Sequence, residues 1–198
     1  MRLRQSIILL TLAGLAGCAS TSKPKAPYET IGAEPRRDSD VARQQNALAV
    51  GFLEKGDYAR AEDALKGALA ADIMCGPAHN NLGKVYFHKR DYYHAAWEFQ
   101  YASKLMPNAA EPANNLGLVF EAAGKLDDAT DSYTKAVDLE PENVNALGNL
   151  ARARSRRGDR DESMRSLLQK LVMRDTRPEW LKWEQETLAR LEAHKPEQ

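Results

Sequence analysis

Asn81, Asn115 and Asn149 stand 34 residues apart. A carboxamide offers two donors and an acceptor, so a row of asparagines on one face could pair with the backbone of an extended peptide. Asn is a mediocre residue for a helix interior, which makes its recurrence worth explaining. Asn46 lies one residue off the same slot in the preceding interval. Two explanations stand side by side at this level: a peptide-reading ladder, or a solvated residue copied by duplication. Lys84 and Arg152 should share one side of the molecule, with Glu111 and Glu121 between them. Taken singly, each is ordinary surface charge. Catalytic chemistry finds no comparable support. His79, His88, His94 and His194 do not fall at helical metal-ligand spacing. No nucleophile–base set and no phosphate-cradling glycine loop stands out. The pattern predicts neither an enzyme nor a metal, cofactor or small-molecule substrate.

The elements that would carry these side chains repeat at the same interval. Leu82, Leu116 and Leu150 are 34 apart, as are Ala61, Ala95 and Ala129, and Pro107 and Pro141 match. A fixed period in this range means a stack of hairpins, each burying its apolar face only against its neighbours. Four units are predicted: 42–75, 76–109, 110–143 and 144–177. In the second, the spacing predicts a helix from about Pro77 to Lys89 and another from about Tyr92 to Leu105. Gly56, Gly124 and Gly158 mark the turn inside three units, and Arg90-Asp91 stands there in the second. Pro107 and Pro141 stop the second helices.

The amino terminus reads differently. Arg2 and Arg4 precede the apolar run Ile7–Ala16, which is too short for a comfortable transmembrane span and has the form of a secretory signal over 1–17. These arginines are the only charges in Met1–Gly17. Removing it takes 28 Lys+Arg to 26 against 28 Asp+Glu, a net of −2. That balance gives no electrostatic case for nucleic acid and no polybasic membrane patch. Residues 18–41 hold prolines, Ser/Thr and mixed charge, and read as a flexible tether. Leu15-Ala16-Gly17-Cys18 closely resembles the lipobox of bacterial lipoproteins. The resemblance implies cleavage before Cys18, a diacylglyceride on its sulfur and an acyl chain on its new amino group. More than one chain makes anchoring stable. The only other cysteine is Cys75, so a lipidated Cys18 leaves no intramolecular disulfide; Cys75 is expected as a small buried hydrophobe.

The repeat itself resembles the tetratricopeptide repeat. Unit two supplies Leu82, Gly83, Tyr86, Ala95, Phe99, Ala102 and Pro107. Unit three supplies Leu116, Gly117, Phe120, Ala129, Tyr133, Ala136 and Pro141. Unit one is looser, with Ile73 where Pro would stand, and unit four departs most, with Arg154 in an aromatic slot and Ser163 for Ala. The resemblance implies an all-α, right-handed solenoid whose first helices line a concave face, which would carry Asn46, Asn81, Lys84, Asn115, Asn149 and Arg152 as peptide-binding residues. Family members that grip acidic chaperone tails need a basic residue early in unit three, where this chain has Glu111 and Asn115. That argues against such a clamp.

Residues 178–198 remain. Thr176 to Glu179 reads as a capping box with Pro178 in the first turn. Trp180, Leu181, Trp183, Leu188 and Leu191 then form an apolar stripe, expected to cover the open end of the stack. The alternative is a partner-binding patch. The joint resemblance to envelope lipoproteins with such repeats (pilus or secretin pilots, tight-adherence pilus proteins, protease adaptors) implies a protein or peptide partner in the bacterial cell envelope. Ala19 after the cysteine implies the outer membrane, facing the periplasm. A structural part that binds through its outer face or its tryptophan-bearing cap is the competing expectation.

Overall fold

The computed structural model describes residues 37–193; the lipobox with Cys18, most of the tether and His194 lie outside them. Among the described residues every regular element is a helix: α1 (Ser39–Glu54), α2 (Tyr58–Ala71), α3 (Gly76–His88), α4 (Tyr92–Leu105), α5 (Ala110–Ala122), α6 (Leu126–Leu139), α7 (Val144–Arg157), α8 (Glu162–Val172) and α9 (Pro178–Ala193). Consecutive pairs from α1–α2 to α7–α8 form four hairpins, and each second helix packs on the first helix of the next hairpin. α1 starts at Ser39, ahead of residue 42. The cause is Asp38, whose carboxylate accepts from the Val41 amide and so closes an N-cap.

Local chemistry fixes the hairpins. Asp57, Asp91 and Asp161 cap α2, α4 and α8 by accepting from the amides of Arg60, His94 and Met164. The turn inside each hairpin needs one left-handed residue. Gly56, Gly124 and Gly158 supply it at φ 72°, 74° and 96°, and Arg90 takes the same step at φ 60°.

Packing inside the hairpins rests on matched small and large residues. Ala61, Ala95 and Ala129 are fully buried. A Cβ on Gly83 would lie 2.6 Å from Cε1 of Phe99, and one on Gly117 would lie 2.5 Å from Cε1 of Tyr133. Each ring therefore rests on bare backbone, and no side chain fits between them. Cys75 is half-buried against the first core cluster.

The final helix covers α8. Leu191 is buried with Leu147, Ala151, Met164, Leu168 and Leu171, and half-buried Trp183 and Leu188 pack beside it. Its start differs from the capping box read at Thr176. The helix opens at Pro178, the Arg177 carbonyl accepts from the Leu181 amide, and Asp175 accepts from the Arg177 amide. A buried aspartate paired to Arg177 thus organises this turn.

Candidate functional site

Successive first helices α1, α3, α5 and α7 touch along the stack, whereas the second helices make no comparable contact with one another. The row of first helices is therefore the inner side of the curve. Its columns follow from the repeat. Val50, Lys84, Leu118 and Arg152 share one slot, and Leu53, Phe87 and Glu121 share another.

The structure brings the asparagines together, and uses them on each other. Asn81 Nδ2 donates to Asn46 Oδ1 at 2.9 Å, Asn115 Nδ2 to Asn80 Oδ1 at 3.1 Å, and Asn149 Nδ2 to Asn114 Oδ1 at 2.9 Å. Each bond ties one first helix to the preceding one. Asn80, Asn81 and Asn115 are buried. In neither sequence explanation was the ladder a set of rungs between repeats, with part of its donor capacity already spent. The period exposes the recurrence at 81, 115 and 149, but the partners Asn46, Asn80 and Asn114 sit 35 residues back, one position off it, so the period alone does not pair them.

The cations are also engaged. Lys84 Nζ lies 2.5 Å from Glu111 Oε1. Burial works to raise the Glu111 carboxyl, but Lys84, Asn80 and Asn115 hold it below the ordinary carboxylate range. Arg152 grips Glu121 with two parallel bonds of 3.0 Å and donates to Asn149 Oδ1 at 3.1 Å. Arg156 and the Tyr133 hydroxyl also donate to Glu121, at 2.8 Å each. Against the effect of its burial, these partners lower Glu121 below its usual value. Arg152 and Arg177 lie over the Trp180 ring, 5.1 and 5.0 Å from its centroid.

Between these fixed groups the face is hollow. One cavity of about 310 Å³ is lined by Val50, Leu53, Tyr58, Asn81, Lys84 and His88 among others. A second of about 210 Å³ lies beyond Lys84 and His88, against Phe87, Phe99, Asn115 and Leu118. His88 is itself stacked on Tyr58, centroids 4.4 Å apart. A third, of about 320 Å³, is formed by Arg152, Glu179, Trp180 and Trp183 at the cap. The arrangement offers side-chain cavities and spare amide groups; it aligns no acid, base and nucleophile for a reaction. The outer side has a separate hollow of about 270 Å³ between α4, α5 and α6, lined by Ser103, Lys104, Leu116, Ser132 and Lys135 among others.

Two polar features had no sequence signature. His79 is buried, its Nε2 donating to the Ile73 carbonyl at 2.8 Å and its Nδ1 2.6 Å from Glu98. Glu184 on α9 is 0% exposed, and neither carboxyl oxygen has a hydrogen-bond partner. Burial and the Asp175 carboxylate push it up to about 7.

The fold and face define a class, the all-α hairpin-repeat solenoid. Profiles described as tetratricopeptide repeat match residues 46–111 and 120–182. The chain belongs to the tetratricopeptide repeat family. No curated protein matches the sequence. Among solved structures it is similar to PilF of Pseudomonas aeruginosa, at 21% identity and a TM-score of 0.65 over 78% of this chain and 74% of that one. It is also similar to the first repeat domain of RPAP3 (Spaghetti) bound to the HSP90 peptide SRMEEVD, at 21% identity and TM-score 0.60 over 64% of this chain and 100% of the other. MamA gives 20% identity and TM-score 0.60 over 79% and 78%. At these identities the likeness is one of fold.

Proposed function

We propose that this protein is a membrane-anchored interaction scaffold, held by lipid on Cys18 in the bacterial outer membrane, whose inner face takes a segment of a partner protein during assembly of an envelope complex such as a pilus or secretion system. The observation that carries the reading is the pair of hollows on either side of Lys84 and His88, lined by Val50, Leu53, Phe87 and Leu118. A partner segment with apolar side chains fits there without displacing a structural contact. The RPAP3 repeat domain, of similar fold, is bound to a peptide, which supports a peptide-binding use of this fold. An acidic tail is disfavoured for this chain, because Glu111 already neutralises Lys84 and Leu118 stands next in the column.

The test is site-specific photo-crosslinking in cells from Val50 and Leu118, with Lys135 on the outer side as control. Discrete adducts from both inner positions are expected, the Val50 adduct lost in Leu118→Asp and the Leu118 adduct lost in Val50→Asp. Adducts only from Trp183 would favour the second reading, in which the Trp180–Trp183 hollow at the cap is the docking point. The anchor has its own assay: labelled fatty acid enters the natural chain and not Cys18→Ser.

A further inference from the structure

One region departs from its counterparts in the other repeats without serving the inner face. Along α4, Tyr93, Trp97 and Tyr101 occur at intervals of four and share a helix side. The same slots hold Ala59, Asp63 and Gly67 in hairpin one and Asp127, Asp131 and Lys135 in hairpin three. Tyr93 is 77% exposed and Trp97 53%. Trp97 and Tyr101 stack with rings 2° from parallel, centroids 5.5 Å apart. The loop before α3 carries Ile73 and Met74, 46% and 42% exposed, where the later loops carry Pro107-Asn108 and Pro141-Glu142.

The loop is built to keep those side chains outside. His79 Nε2 holds the Ile73 carbonyl, and Asp72 accepts from the Met74 amide at 3.0 Å. Tyr101, edge-on to His79 at 4.6 Å, donates to Met74 Sδ at 3.9 Å and joins loop to helix. The chain also enters the fold here. Arg37 Nε bonds Asp72 at 3.2 Å, and the Asp38 amide bonds the Ala71 carbonyl at 3.0 Å. Only Ala19–Arg36 separates this point from Cys18.

Trp and Tyr concentrate where one end of a ring is apolar and the other wet, the situation at a lipid headgroup boundary. No helix among the described residues is long and apolar enough to cross a membrane, so contact would be peripheral. Asp63 and Asp131 at the bordering slots leave apolar burial, not attraction to lipid phosphate, as the driving force. We propose that Ile73, Met74, Tyr93, Trp97 and Tyr101 form a membrane-interface foot that seats the first two hairpins on the lipid surface. This rests on the lipid-anchor reading of Cys18. It explains why exposed aromatics cluster beside the point where the anchored segment joins the stack, and it turns the groove to a fixed angle with the membrane.

The test uses the mature protein, purified from its membrane and reconstituted in vesicles with brominated acyl chains. Trp180→Phe and Trp183→Phe leave Trp97 as the sole reporter. Its emission should fall roughly twofold against unbrominated vesicles, while a chain keeping only Trp180 is unaffected. Full Trp97 emission from vesicle-bound protein overturns the foot and leaves the anchor standing. If no labelled fatty acid enters at Cys18, the anchor reading fails, and the chain added to vesicles from solution decides the foot alone. Binding lowered about tenfold by Tyr93→Ser with Trp97→Ser keeps it; equal binding removes it. A dimer in solution abolished by Trp97→Ser assigns the patch to a second copy and also overturns the proposal.

Discussion

Hairpins two and three solve the inter-helix contact one way, and hairpin four solves it another. In the middle of the stack a ring lies on a glycine: Phe99 on Gly83, Tyr133 on Gly117. Hairpin four has Arg154 where the others put an aromatic side chain. Its guanidinium bonds Asp159 at 2.9 Å, Asp161 at 2.9 and 3.0 Å, and Ser163 at 2.8 Å. In hairpin four Leu167 and Ala151 stand in the ring and glycine slots, so an aliphatic contact replaces the ring on bare backbone, and the neighbouring aromatic slot holds a partly exposed ion network. Close packing is indifferent to pH, but the ion network is not. The Arg157 and Arg154 guanidiniums draw Asp159 down to about 2 against the effect of burial. A lowered carboxyl contributes stability that is complete above its unfolded value and is lost as pH falls through about 2. The end cap adds a carboxyl of the opposite sense, Glu184. The lesson is that the interior hairpins seat a ring on bare backbone, whereas the last hairpin drops that contact and puts charge into an aromatic slot.

The sharpest way to break this contrast is to remove a ring. Phe99→Ala should cost about 3–5 kcal/mol, because the glycine beneath it cannot fill the void; urea unfolding measures it. Arg154→Ala in hairpin four should cost less, about 1–3 kcal/mol. Equal losses would erase the distinction between packing and pairing.

At the cap, Glu184 supplies a test whose sign depends on pH. Its folded-state value is raised, so stability is full below the ordinary carboxyl range and declines as pH climbs through about 7. Glu184→Gln should therefore be about 1–3 kcal/mol more stable than the natural chain above pH 8 and no more stable at pH 4. A gain independent of pH would mean that ionisation of this carboxyl is not what strains the cap.

The asparagine rungs sharpen the comparison within the inner face. Asn115→Ala leaves the Asn80 Oδ1 without its donor and should lower stability by about 1–2 kcal/mol. Val50→Asp, at an exposed position of the inner face, should weaken partner capture while leaving the melting temperature within a few degrees. If Asn115→Ala instead spares stability and abolishes capture, its amide serves the ligand more than the fold. The smallest effect belongs to the turns. Arg90→Gly should stabilise by about 0.5–1 kcal/mol, since hairpin two alone makes its left-handed step with a side chain. No gain would show that the Arg90 side chain compensates locally.

Much of the architecture was legible because the code is periodic and local. The 34-residue interval and the turn residues, Gly56 and Arg90-Asp91 among them, are read from spacing and local chemistry, so the hairpin boundaries near Pro77, Tyr92 and Leu105 fall within a residue of the helices. The inner face was legible only as a set of positions. Asn81 was readable as an exposed amide; the structure pairs it with Asn46 through a bond across 35 residues. Lys84 was readable as surface charge, and Glu111 from the next hairpin neutralises it.

From its order of residues alone this chain determined that it would fold as stacked helical hairpins, because each hairpin is specified by contacts short enough to repeat. Tertiary structure alone decided which polar groups remain free for a ligand, that Glu184 would be sealed under the cap, and that five aromatic and apolar side chains would gather outside hairpins one and two. Those outcomes depend on where side chains from different hairpins point once the stack has closed, a relation that spacing along the chain does not encode.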